Sequence, residues 1–164
     1  GEFSSMDDLK LPVFTDAKAY PEPKEAKYEE SFASIAAMRI ALNGITKDDA
    51  RVRLLKTRLA RLGVKPGTNG AAFRLTIELT DEAPVAEKEG YALDVAKRGA
   101  TIQARDKQGV LWGIVSFMQM IDYGAKTVRC GSIRDWPDCA NRGFAGEYWP
   151  ECAEFTVFQK MNRT

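Results

Sequence analysis

Residues 108–121 read QGVLWGIVSFMQMI, a stretch with no charged side chain. Asp106 stands where a helix N-cap belongs, and Val110, Ile114, Phe117 and Ile121 recur at three- and four-residue steps, so the segment predicts a helix that lays one stripe on a sheet. Leu111, Trp112, Val115 and Met118 take up much of the remaining circumference. A helix apolar on most sides must be covered on more than one. Gly109 and Gly113, one turn apart, clear a track for close backbone approach, at a cost of roughly 1 kcal/mol each in helix propensity relative to alanine. A chain with only one other evident helix has little material to cover this one twice. The expected cover is therefore a neighbouring domain.

The rest of the chain supplies the sheet. Residues 7–27 carry Pro12, Pro21 and Pro23 among charges and read as an irregular leading segment. Residues 36–42 (AAMRIAL) read as a strand ended by Asn43-Gly44. Thr46 is placed to cap a following helix, with Asp48 and Asp49 where the helix dipole favours negative charge. Val52, Leu55, Leu59 and Leu62 form its apolar stripe, and Gly63 ends it before a Pro66-Gly67 loop. In residues 72–79 (AFRLTIEL), Phe73, Leu75, Ile77 and Leu79 alternate with Arg74, Thr76 and Glu78, the pattern of a strand with one buried face.

Residues 81–89 form a polar loop, and Tyr91, Leu93 and Val95 then face Ile102 and Ala104 across a Lys97-Arg98-Gly99 turn, a hairpin. Residues 127–133 are expected to add an edge strand. The order strand, helix, strand, hairpin, helix, strand implies an α+β fold in two layers, a mixed and mainly antiparallel sheet with two helices on one face.

Composition excludes more chemistry than it suggests. The 164 residues are 45% hydrophobic and 29% charged, enough for one core. With 24 basic against 23 acidic residues, no overall field draws in nucleic acid or an anionic membrane. The basic face of the first helix (Arg51, Arg53, Lys56, Arg58, Arg61) lacks interleaved aromatics and reads as a solvated face. No apolar run reaches the roughly 18 residues of a membrane span. No partner of either kind is expected. The chain has no histidine, which removes Ser-His-Asp and Cys-His catalysis and histidine-ligated metals. Cys130, Cys139 and Cys152 fit neither a redox pair nor a zinc cluster and read as buried or free thiols, with one disulfide open to them in an exported protein. Neither a metal nor a cofactor is expected. GEFSSM, residues 1–6, reads as a cloning scar followed by an internal start.

GYALDV, followed by GATIQARDKQGVLWGIVSFMQMI and then SIRDWPDCANRGF, resembles the second domain of family 20 glycoside hydrolases, the β-N-acetylhexosaminidases and chitobiases. The likeness is close over residues 72–143 and looser over the earlier strand and helix; the combined pattern is specific where each piece alone is weak. It implies a non-catalytic, zincin-like α+β domain over residues 7–135 that packs through its helices on a (β/α)8 barrel. Residues 142–148 (RGFAGEY) would be the barrel's first strand and residues 151–161 its first helix. A whole barrel needs about 250 residues. The resemblance therefore implies a truncated piece, inactive alone, of an exported glycosidase.

In that family the sugar's own acetamido oxygen attacks the anomeric carbon while a paired Asp-Glu from a later strand assists. Of the positions present here, the resemblance gives a substrate role to Arg142 alone, as the arginine that holds sugar hydroxyls; a guanidinium suits the task because its rigid fork can bind two oxygens at once. Residues 146–150 (GEYWP) depart from the family 20 continuation and are similar to the opening of family 84 β-N-acetylglucosaminidases, with Gly146 and Glu147 in reversed order. Asp135, Asp138, Glu147, Glu151 and Glu154 read as surface acids rather than a glycosidase pair, which needs its carboxylates about 5 to 9 Å apart across a cleft. Trp136, Tyr148 and Trp149 read as packing groups at a domain junction. The alternative is a free-standing carbohydrate- or protein-binding module that docks through its apolar helix.

Overall fold

The computed structural model describes residues 16–66, 70 and 72–138. Arg142, Cys139, Cys152, Tyr148, Trp149 and the expected barrel strand and helix lie outside them. No helix among the described residues is long and apolar enough to cross a membrane.

The elements follow in the order β1 (Glu25–Ser34), β2 (Ala37–Asn43), α1 (Ala50–Arg61), β3 (Lys65–Pro66), β4 (Phe73–Leu79), β5 (Tyr91–Ala96), β6 (Gly99–Ala104), α2 (Lys107–Gln119), β7 (Ile121–Asp122) and β8 (Thr127–Asp135). They build one sheet in the spatial order β1-β8-β5-β6-β4-β2-β3, with β7 paired to β8. The β1, β8, β5 and β6 pairings are antiparallel, whereas β6, β4, β2 and β3 run parallel. This is the expected α+β class, a mixed sheet with two helices.

The alternating pattern of β4 places Phe73, Leu75 and Ile77 in the core, and the register carries that face across the sheet through Leu75–Ala100, Ile77–Ile102 and Leu93–Ile102. Helix α2 covers it along β5 and β6, with α1 alongside. Gly109 and Gly113 face this sheet. A Cβ on Gly109 would fall on the Gly90 carbonyl oxygen, and one on Gly113 would lie 2.5 Å from Ile102 Cγ2.

Six expectations are corrected. Strand β1 was not legible, since only Ala33 of EAKYEESFAS is buried and no alternation marks it. With β1 in place, β8 is an interior strand between β1 and β5 rather than an edge. Asp49, not Thr46, caps α1, its side chain accepting the Arg51 N–H. Leu54 completes the buried set of α1 with Val52, Leu55 and Leu59, while Leu62 is the exposed large apolar residue. Lys65 and Pro66 are a short strand on β2, not loop.

The remaining correction concerns the cover of α2. Leu111, Trp112, Val115 and Met118 expose only 3%, 2%, 1% and 4% of their surface, so the chain itself encloses the helix. Its apolar circumference does not by itself call for a neighbour. Part of the cover is the leading segment, residues 16–24, which is not free. Gln119 at the end of α2 accepts the Tyr20 N–H at 2.9 Å and donates to the Tyr20 carbonyl at 3.1 Å.

Simple widths explain why such a segment is needed. Six inter-strand spacings of about 4.8 Å make a face about 29 Å across. Two helices about 10 Å wide cover about 20 Å of it. The leading segment fills the rest, over β1 and β8: Ala19 donates to Tyr28 Oη, and Arg129 donates to the carbonyls of Asp16 and Ala17.

Candidate functional site

Parallel β2, β4 and β6, together with β8, end at one rim of the sheet, and the register places the start of β5 there as well, Tyr91 pairing with both Ala104 and Asp135. Both helices follow such strand ends, so both present their N-termini at this rim. In open sheets of this kind the strand ends are where ligands and partners gather.

At the α1 end, Asp49 Oδ1 accepts the Arg51 N–H at 2.9 Å, with the Arg51 guanidinium at 3.4 Å and Lys107 Nζ 3.5 Å from Oδ2. Burial raises the cost of ionising Asp49. The Arg51 N–H and guanidinium, with Lys107, more than offset it and hold the carboxyl below the usual aspartate range.

The α2 end is built around Asp106, which the sequence marks as a cap. One carboxylate oxygen accepts the Gly109 N–H and the other the Glu89 N–H, each at 2.8 Å. One side chain thus ties the helix to the loop that precedes β5. Glu89 is buried, with φ of 61° in the left-handed region, and its Oε1 accepts from Trp112 Nε1 at 3.3 Å. Next to it Gly90 is crowded by Val85 and by the Glu87 carbonyl. One turn into the core, the Tyr91 and Ser116 hydroxyls meet at 2.6 Å. Burial, reinforced by Asp135, pushes the Tyr91 phenol well up and outweighs the Ser116 bond, so it stays neutral.

Strand β8 leaves the sheet at the same rim. Asp135 Oδ1 accepts the Lys24 N–H at 3.0 Å, Lys24 Nζ lies 2.9 Å from Asp138 Oδ1, and the same ammonium stands 5.9 Å from the Trp136 ring. Arg134 grips Asp94 with both guanidinium nitrogens, at 3.1 and 3.2 Å, and Ser132 adds a bond of 2.8 Å. Asp49, Asp106, Asp135 and Asp138 are engaged by helix caps, backbone N–H groups and ion pairs, and the buried Glu89 by the Trp112 indole. Bonds of this kind fix chain positions.

Of the residues weighed from the sequence, Asp106, Asp135, Trp136 and Asp138 come together at the rim, while Arg142, Glu147, Glu151 and Glu154 lie outside the described residues. Cys130 is a buried free thiol. Among the described residues no group of three or more His, Cys, Asp or Glu side chains could hold a metal ion. Sequence reasoning missed Glu89, read as part of a polar loop, and the paired grips of Gln119 and Arg129. The available signals were a polar residue closing an apolar helix and an arginine set between Val128 and Cys130 in a strand.

The model of glycosyl hydrolase family 20, domain 2, matches residues 17–136. The chain belongs to this family. The domain 2 match runs from the leading segment to Trp136, the residue at which β8 has left the rim. Over 144 residues the chain is 30% identical to a beta-hexosaminidase of Vibrio vulnificus, covering 87% of this chain and 16% of that protein. Among solved structures, the beta-N-acetylhexosaminidase of Bacteroides fragilis superposes with a TM-score of 0.57 at 16% identity, over 74% of this chain and 25% of the other. The structure of CpGH84B superposes with a TM-score of 0.58 at 20% identity, over 74% of this chain and 23% of its own length. At such identities the two superpositions speak for the fold alone. The chain spans about a quarter or less of the proteins it matches, so this domain 2 corresponds to one part of each.

Proposed function

We propose that this domain 2 is the accessory domain of a β-N-acetylhexosaminidase and that it supports a (β/α)8 catalytic barrel without itself performing chemistry. The observation that carries this reading is the family 20 match over residues 17–136, joined to an alignment with a beta-hexosaminidase that is longer than the domain match. On this reading residues 7–135 are the accessory domain and residues 136–164 open the barrel. Arg142 then stands at the start of the first barrel strand, where its guanidinium would hold two hydroxyls of a terminal N-acetylhexosamine. The glycan meets the protein through the barrel, and the acids of the accessory domain serve its own architecture.

A chromogenic N-acetylglucosaminide tests this directly, with the 164-residue chain assayed beside the full-length product of the same reading frame. The full-length protein should hydrolyse it and the chain should not. Turnover by the chain alone would overturn the assignment. In the full-length protein Arg142→Lys, which keeps the charge and loses the fork, should lower kcat/KM by about 10-fold or more, the worth of one or two charged hydrogen bonds.

A further inference from the structure

We propose that residues 16–24 are a latch: an irregular stretch of the chain seated in a slot between α2 and the β1/β8 end of the sheet, able to open as a unit while the sheet stays folded. The slot holds the segment mainly through its backbone, with the Lys18 and Lys24 ammonium groups adding contacts to the Tyr28 ring and to Asp138. Gln119 bonds both the N–H and the carbonyl of Tyr20, as a neighbouring strand would. Tyr28 Oη accepts the Ala19 N–H at 3.0 Å, and Asp135 accepts the Lys24 N–H at 3.0 Å. Arg129 spreads its guanidinium over the carbonyls of Asp16, Ala17 and Glu29, at 3.1, 3.3 and 2.9 Å, while its plane rests 4.7 Å from the Phe32 ring.

The side chains that enter the slot are small and sit at alternate positions: Ala17, Ala19 and Pro23 are buried, and Asp16, Lys18, Glu22 and Lys24 face outward. Main-chain bonds thus supply the hold, and the small buried residues fill shallow pockets beneath the segment. A segment held by few apolar contacts and by individual side chains has the make-up of a region that opens well below global unfolding. The sheet next to it is different: β5 and β6 are joined by a full ladder and covered by α2. The proposal is independent of the enzymatic assignment.

Native-state amide exchange on the 164-residue chain, followed across low urea, tests it. The amides of Ala19, Tyr20 and Lys24 should exchange through an opening nearly insensitive to urea, and those of Leu93 and Ile102 through global unfolding. Gln119→Leu, close in volume and unable to make either bond to Tyr20, should speed the three latch amides by about 10-fold and leave Leu93 and Ile102 unchanged. Tryptic cleavage after Lys18, mapped by mass, should quicken by the same factor. Exchange of the latch amides only through global unfolding, or a Gln119→Leu chain that shows either no change or one equal acceleration at all five amides, overturns the proposal. Should that variant fail to fold, the wild-type urea series decides alone.

Discussion

At the scale of single residues, the glycines of α2 separate propensity from packing. By helix propensity alone Gly109→Ala should stabilise by roughly 1 kcal/mol. The Gly90 carbonyl occupies the space the methyl would need. Forced overpacking of a core contact costs about 1–3 kcal/mol, so Gly109→Ala should lower the urea midpoint despite the better helix former. Gly124→Ala, where the nearest atom is 3.5 Å away, should change it little. Sequence spacing showed that a close approach occurs at Gly109 but not what approaches.

Tyr123 gives a pH-dependent counterpart. Its hydroxyl donates to the Met118 carbonyl at 2.6 Å, and burial, only partly offset by Arg58, pushes its pKa up to about 12. The fold favours the neutral phenol, so the bond's contribution is whole below pH 10.0 and fades as pH rises to about 12. Tyr123→Phe should cost about 1 kcal/mol at pH 8. Urea titrations at pH 8 and pH 11 should show that difference shrinking at the higher pH.

Among the elements, the two helix caps look alike in sequence and differ in what they hold. Asp49 bonds the backbone of its own helix and reaches α2 only through the exposed Lys107 ammonium, whereas Asp106 bonds its helix and the Glu89 N–H together. Asp49→Ala should cost about 1 kcal/mol, the ordinary value of a cap. Asp106→Ala should cost about 2 kcal/mol, since a second backbone donor loses its acceptor. Chemical denaturation of the two variants side by side measures the gap. These elements were legible where periodicity was strong: β4, the β5–β6 hairpin and α2 follow from alternation and spacing. Strand β1 escaped because it lies at an edge with little buried, so hydrophobic pattern had nothing to write there. Its loss also misplaced β8, because the status of a strand as edge or interior depends on a partner that its own residues do not name.

For the whole molecule, the sequence shows that α2 must be covered, and the expectation of a neighbouring domain as that cover rests on there being one other evident helix to do it. The leading segment supplies part of that cover, and the side chains expected to meet an outside neighbour are enclosed. Met118→Lys should therefore destabilise the chain on its own by several kcal/mol, the cost of an unpaired buried charge. A Met118 that faced an absent neighbour would tolerate lysine, and the thermal midpoint of the variant distinguishes the two. The role proposed for Arg142 rests on family likeness alone, because one arginine carries no periodicity and no spacing of its own.

Strand β1 begins and β8 finishes side by side, Glu25 opposite Arg134. A pull applied between Lys24 and Trp136 therefore does not shear the β1–β8 ladder along its length. It meets the rungs one after another from that end, like a zip. Tension carried through the polypeptide from one side of this unit to the other would peel β1 away before it reached α2, leaving the helix and the β5–β6 hairpin as the mechanically protected centre.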